Sequence, residues 1–186
     1  MGEGAGVVVL EVRPFDTTTL SVTTMASGDG SHITAPLENG DGARRAMQSA
    51  IAQSGLALSD IGYINAHAAG TPLGDRAENE AIKTLFGENA SKLGVSSTKL
   101  VPSRRFSRLR HCTMYGFHVV HLEALPLNAL ICVKQNVMPP TLNLDETTEE
   151  FTLNYVPKQP QEKELHAVMS NSFGFGGTNA SLLFAM

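Results

Sequence analysis

Between residues 62 and 97 the chain writes a strand, a helix and a second strand in close succession, and this alternation constrains the fold more than any other feature. Residues 62–66, GYINA, are apolar and β-prone; a small-residue loop, AAG, follows His67, and Thr71-Pro72 opens a helical pattern. The helix is expected over about 74–86, with Ala77, Ala81, Ile82 and Leu85 inward and Gly87 as its stop. Glu78, Glu80 and Lys83 read as its solvated face. Residues 93–97 form a further short strand. Apolar strands alternating with helices imply an α/β fold in which helices cover a buried sheet.

The flanking segments fit that plan. Asp41 is expected to cap a helix in which Ala43, Ala46, Met47, Ala50 and Ile51 recur at helical spacing, with Gly55 closing it. Residues 27–41 read as loop, and residues 7–12 and 17–24 as the strands of a hairpin. The pattern over 122–133 is apolar and helical, although Pro126 is expected to kink or interrupt it. Residues 165–169 and 180–185 read as two buried strands joined by the turn NSFGFGGTN.

Composition excludes several classes of function. At 186 residues, 42% hydrophobic and 17% charged, the chain can bury the core of one domain. A formal charge of −4 argues against general nucleic-acid binding, which needs a basic surface. No apolar run is long enough to span a bilayer, and MGEGAGVVVLEV has the character of neither a signal peptide nor a presequence. Cys112 and Cys132 lack CxxC spacing and point to a reducing compartment. No metal-ligand set is expected.

Two stretches carry chemistry. His67 ends a strand beside Ala68, Ala69 and Gly70, where a side chain is held by rigid backbone and a ligand can approach closely. A core histidine satisfied by backbone fits the local pattern equally well. The second stretch, SNSFGFGGTNA at 170–180, sets Phe173 and Phe175 in a glycine-rich turn, for which simple core packing is the other reading.

Together with GEGAGVVVLE, SGDGSHITAPLENGDGARRAM, VSSTK, PPTLNLD and LNYVP, these stretches resemble, in order, the C-terminal half of the β-ketoacyl-acyl carrier protein synthases, the condensing enzymes of fatty acid synthesis. The resemblance implies the C-terminal half of a thiolase-like α/β fold, a mixed sheet with covering helices, as a single domain over 1–186. It also implies decarboxylative condensation of acyl groups with malonyl-acyl carrier protein. No cofactor is expected, since substrates ride on the carrier protein's phosphopantetheine. The carrier protein is the implied partner, and the full-length family is homodimeric. The resemblance is slightly closer to mitochondrial members, so the matrix is the expected compartment, and otherwise the cytoplasm.

The family uses a nucleophilic cysteine, two histidines and a lysine. His67 matches the first histidine and Lys99 the lysine. The cysteine belongs to the family's N-terminal half, and the second histidine's place falls on Arg104 counting from Lys99 or on Met114 counting back from Leu122-Glu123-Ala124, so the chain alone is expected to be inactive. Thr71 matches a threonine that holds the pantetheine arm, whereas Ala69 replaces its companion. Phe175 matches the phenylalanine that gates the acyl pocket, with Gly174, Gly176 and Gly177 freeing its turn. Asn65, Glu123, Asn171 and Ser172 fall where some members build a polar or cation-holding cluster.

Residues 100–121 lack the family's glycines and helical period. Arg104, Arg105, Arg108 and Arg110 there admit three readings: a basic patch for an acidic carrier protein, a solvated segment, or translated non-coding sequence, which the matching flanks favour. A non-catalytic partner subunit, similar to a chain-length factor, is the alternative function.

Overall fold

A computed structural model of the chain describes residues 21–98, 112–114, 117–119, 125–141, 144 and 147–186. Its strands are β1 (Ser21–Gly28), β2 (Ile61–Asn65), β3 (Gly94–Ser96), β4 (Cys112–Met114), β5 (Phe117–Val119), β6 (Val137–Met138), β7 (Gln161–Glu162), β8 (Ala167–Gly174) and β9 (Thr178–Ala185). The helices are α1 (Asp41–Ser54), α2 (Pro72–Phe86) and α3 (Leu125–Gln135). Strands β1-β9-β8-β2-β3 form one sheet in that order. β2 runs parallel to β3 and β8, and β8 and β1 run antiparallel to β9, so the sheet is mixed.

Side chains alternate across this sheet with period two, and each face has its own core. Ile64, Met169 and Leu183 meet Met47 and Ile51 of α1 and Ile82 and Phe86 of α2. Tyr63, Val168 and Phe184 point the other way, onto Ala129, Cys132 and Val133 of α3. Helices therefore cover both faces, which explains why β2 reads as a continuous apolar run rather than an alternating one. Cys132 is fully buried, and desolvation pushes its thiol up to about 12. Alkylation of Cys132 at pH 8, followed by peptide mass mapping, is expected only in denaturant.

Several sequence expectations are corrected. Asp41 does not cap α1: Gly40 occupies that position with φ 61°, and the Asp41 carboxylate instead binds Arg44 at 2.6 Å and Arg45 at 2.9 Å. Those bonds, Arg44's above all, hold its carboxyl below the ordinary value. Basic residues three and four positions on out-compete the backbone for this carboxylate. Pro126 is the second residue of α3, and the helix runs on past it without interruption to Gln135. The turn between β8 and β9 shrinks to Phe175–Gly177, because Asn171, Ser172 and Phe173 pair with Ser181, Ala180 and Asn179. β1 reaches Gly28, into the stretch read as loop, since its register with β9 holds from Ser21 to Gly28. The first strand of the expected hairpin, 7–12, lies outside the described residues, as do Lys99 and all four arginines between 104 and 110. Within 100–121 the described residues form a short antiparallel pair, β4 with β5.

Candidate functional site

The site lies at the carboxyl ends of the parallel strands, where open α/β sheets hold ligands. β2 aligns with β8 so that Asn65 faces Ser170, and β8 therefore continues four residues past the end of β2. This overhang lies beside His67. The backbone N–H of Phe173 donates to His67 Nδ1 at 3.2 Å, and the two rings stand 5.7 Å apart, tilted by 44°. A neutral imidazole that accepts at Nδ1 carries its proton on Nε2, which makes that nitrogen a hydrogen-bond donor.

Glu78 fixes the backbone beneath the ring. Its side chain is 4% exposed and accepts from the N–H of His67 at 3.0 Å and of Ala68 at 2.9 Å, one on each carboxylate oxygen. Asn171 Nδ2 also donates to Glu78 Oε1, at 3.0 Å. Ser97 Oγ donates to the carbonyl of Ala68 at 3.1 Å, tying the loop to the residues after β3. The buried Asn65 side chain bonds Thr98. The sequence reading of Glu78 as a solvated residue is therefore overturned. The signal was present: Glu78 stands three and four residues before Ala81 and Ile82, on the same inward stripe.

Thr71 is exposed at the N-cap of α2, and Pro72 follows as its first residue. Asp75, in the first turn, lines a cavity of about 280 Å³ together with Ala66, Ala68 and Glu78. Burial raises its carboxyl, opposed by backbone N–H groups of Gly70 and Thr71.

Phe173 is half-buried against the core, whereas Phe175 is 80% exposed at the tip of the turn, so core packing holds for the first ring and fails for the second. Gly176 and Gly177 take φ 78° and 72°, and a Cβ on Gly177 would stand 2.7 Å from Cβ of Asp29. That close approach lets Asp29 N–H donate to the Gly177 carbonyl at 2.8 Å, while Asn179 Nδ2 donates to Asp29 Oδ1 at 2.7 Å. The turn is thus clamped at its base and presents Phe175 outward. Phe175→Ala is expected to leave stability within about 0.5 kcal/mol, a Tm change of no more than about 2 °C.

Of the other cluster residues, Asn171 is buried and Ser172 exposed, and Glu123 lies outside the described residues. No group of three histidine, cysteine or acidic side chains suited to a metal occurs among the described residues. What the geometry provides is one histidine, held at Nδ1 and at its backbone beside the overhang of β8, whose neutral ring carries its proton on Nε2. Such a donor can stabilise a developing oxyanion.

Residues 19–102 match the family model described as beta-ketoacyl synthase, C-terminal domain. The chain is similar to the 3-oxoacyl-[acyl-carrier-protein] synthase 2 of Rhizobium meliloti, at 41% identity over 98% of the chain and 42% of that protein. It is also similar to the crystal structure of a beta-ketoacyl synthase from Burkholderia phymatum, with a TM-score of 0.69, 32% identity, and coverage of 88% of this chain and 36% of that one. A type II polyketide ketosynthase, solved with its acyl-carrier protein and bound to a hexaketide, shares the fold with a TM-score of 0.72 at 22% identity, over 88% of this chain and 37% of that one. The chain spans well under half the length of the relatives it matches. It belongs to the β-ketoacyl synthases, and what it carries is the C-terminal, thiolase-like portion of one.

Proposed function

We propose that this chain supplies the decarboxylating side of a β-ketoacyl-acyl carrier protein synthase. The observation that carries the reading is the bond from Phe173 N–H to His67 Nδ1, which places the proton of the neutral imidazole on Nε2. In this reading malonyl thioester, carried on the phosphopantetheine of acyl carrier protein, loses carbon dioxide. The electron pair of the broken C–C bond moves into the thioester as an enolate, and His67 Nε2–H stabilises its oxygen. The enolate carbon then attacks an acyl thioester held on a cysteine of the N-terminal portion of the synthase. Thiolate leaves, and the β-ketoacyl product stays on the carrier protein.

Lys99 organises the site, Thr71 holds the pantetheine arm, and Phe175 with Gly174 and Gly176 forms the gate of the acyl pocket. Carrier protein and a second synthase subunit are the partners, and the mitochondrial matrix is the compartment. The reading as a chain-length-factor-like partner subunit has less support, because the curated relatives at 35–41% identity carry the names of synthases.

The test is a chimera in which this chain follows the N-terminal portion of the Rhizobium meliloti synthase. It is supplied with an acyl primer and malonyl-acyl carrier protein, and β-ketoacyl product is measured. Product is expected, at a rate about 10²–10³-fold below that of the intact Rhizobium synthase because the second histidine donor is missing. A folded chimera that acylates its cysteine and forms no product would overturn the reading.

A further inference from the structure

We propose that Ser181 is a positioning residue for His67, acting through Asn171 and Glu78 from the neighbouring strand β9. It rests on the functional reading only in taking His67 as the acting group. Ser181 on β9 pairs directly with Asn171 on β8, and both side chains are fully buried. Ser181 Oγ–H donates to Asn171 Oδ1 at 2.9 Å, and the Asn171 amide N–H₂ then donates to Glu78 Oε1 at 3.0 Å and approaches Met47 Sδ at 3.3 Å.

The logic of donors and acceptors makes this directional. Glu78 Oε1 is an acceptor, so it requires the amide nitrogen of Asn171, and the amide oxygen must then face β9. That oxygen sits where no solvent reaches, and Ser181 is the donor that satisfies it. Without the hydroxyl the amide leaves a buried carbonyl unpaired in its present pose, and turning away costs the bond to Glu78.

Glu78 Oε1 is the same oxygen that accepts from His67 N–H. Loosening Asn171 therefore loosens the carboxylate that fixes the His67 backbone. The imidazole is also held from β8, two residues beyond Asn171, by Phe173 N–H. One hold on His67 thus comes from β8 directly, the other comes from Glu78 on α2 and is braced from β8 through Asn171, and Ser181 anchors that Asn171 side chain.

The test uses the 186-residue chain labelled with ¹⁵N at histidine, read by long-range ¹H–¹⁵N correlation at a pH where the imidazole is neutral. The His67 signal is identified by its loss in His67→Gln. Wild type is expected to show the Nε2–H form. Ser181→Ala is expected to lower the ratio of the Nε2–H to the Nδ1–H form by roughly fivefold or more, the change that one hydrogen bond is worth, and Ser181→Thr to restore it. Ser181→Val, equal in shape to threonine but lacking the hydroxyl, keeps the comparison valid if the alanine variant does not fold.

An unchanged His67 signature in the alanine or valine variant overturns the proposal. So does loss of the signature in the threonine variant, which would assign the effect to packing. No condensation is needed for this readout, so an inactive chimera with an intact His67 signature would count against the functional reading and leave Ser181 in place.

Discussion

Glu78→Ala is expected to destabilise the chain by about 3–5 kcal/mol, because it strips three buried or half-buried donors of their acceptor at once. The N–H groups of His67 and Ala68 and the amide of Asn171 all point at this carboxylate, within 3.0 Å. Glu78→Gln keeps one carbonyl oxygen but turns an N–H₂ group toward donors, and its loss is expected to be smaller, about 1–2 kcal/mol. Urea denaturation measures both. A loss below about 1 kcal/mol for the alanine variant would mean that Glu78 does not hold the His67 loop.

Gly40→Ala is expected to cost about 3 kcal/mol or more, on the order of 10 °C in Tm. Gly40 precedes α1 at φ 61°, in the left-handed region that a Cβ disfavours by about 1–2 kcal/mol. The larger part of the loss comes from space. A Cβ there would lie 2.1 Å from the backbone carbonyl oxygen of Ala77 and 2.9 Å from Cβ of Ala81, so α1 and α2 would have to separate. Gly55 supplies the control: its φ is 72°, yet a Cβ there would meet nothing within 4 Å. Gly55→Ala is expected to lose only the conformational part, about 1 kcal/mol. Equal losses at the two glycines would show that helix contact contributes nothing.

These two cases also mark how far the sequence could be read. Residues 61–86 were legible because two periods change over one short stretch: an apolar run, small residues, then inward positions at helical spacing. His67 stood out there, and in the preceding stretch Gly55 stood out as the end of α1. The position of Glu78 was also encoded, but reading it required trusting geometry over chemistry, since a glutamate on an inward stripe is buried only if donors await it. Those donors come from the loop after β2 and from β8, about ninety residues later, and local pattern holds no trace of them. The alignment of β2 with β8 is of the same kind. It places Phe173 beside His67, and strands so distant in sequence choose their register by shared burial. Asp41 shows the converse error: its residue type suited a cap, but Arg44 and Arg45 claimed its oxygens.

His67 is the donor on which the enolate charge falls in the proposed reaction. Carbon dioxide release from malonyl-acyl carrier protein by the acylated chimera tests that role most directly, with cysteine acylation followed in parallel. His67→Ala is expected to lower decarboxylation by about 10²–10³-fold, the usual loss for one oxyanion donor, with acylation unchanged. Undiminished carbon dioxide release from a folded His67→Ala chimera would contradict that role.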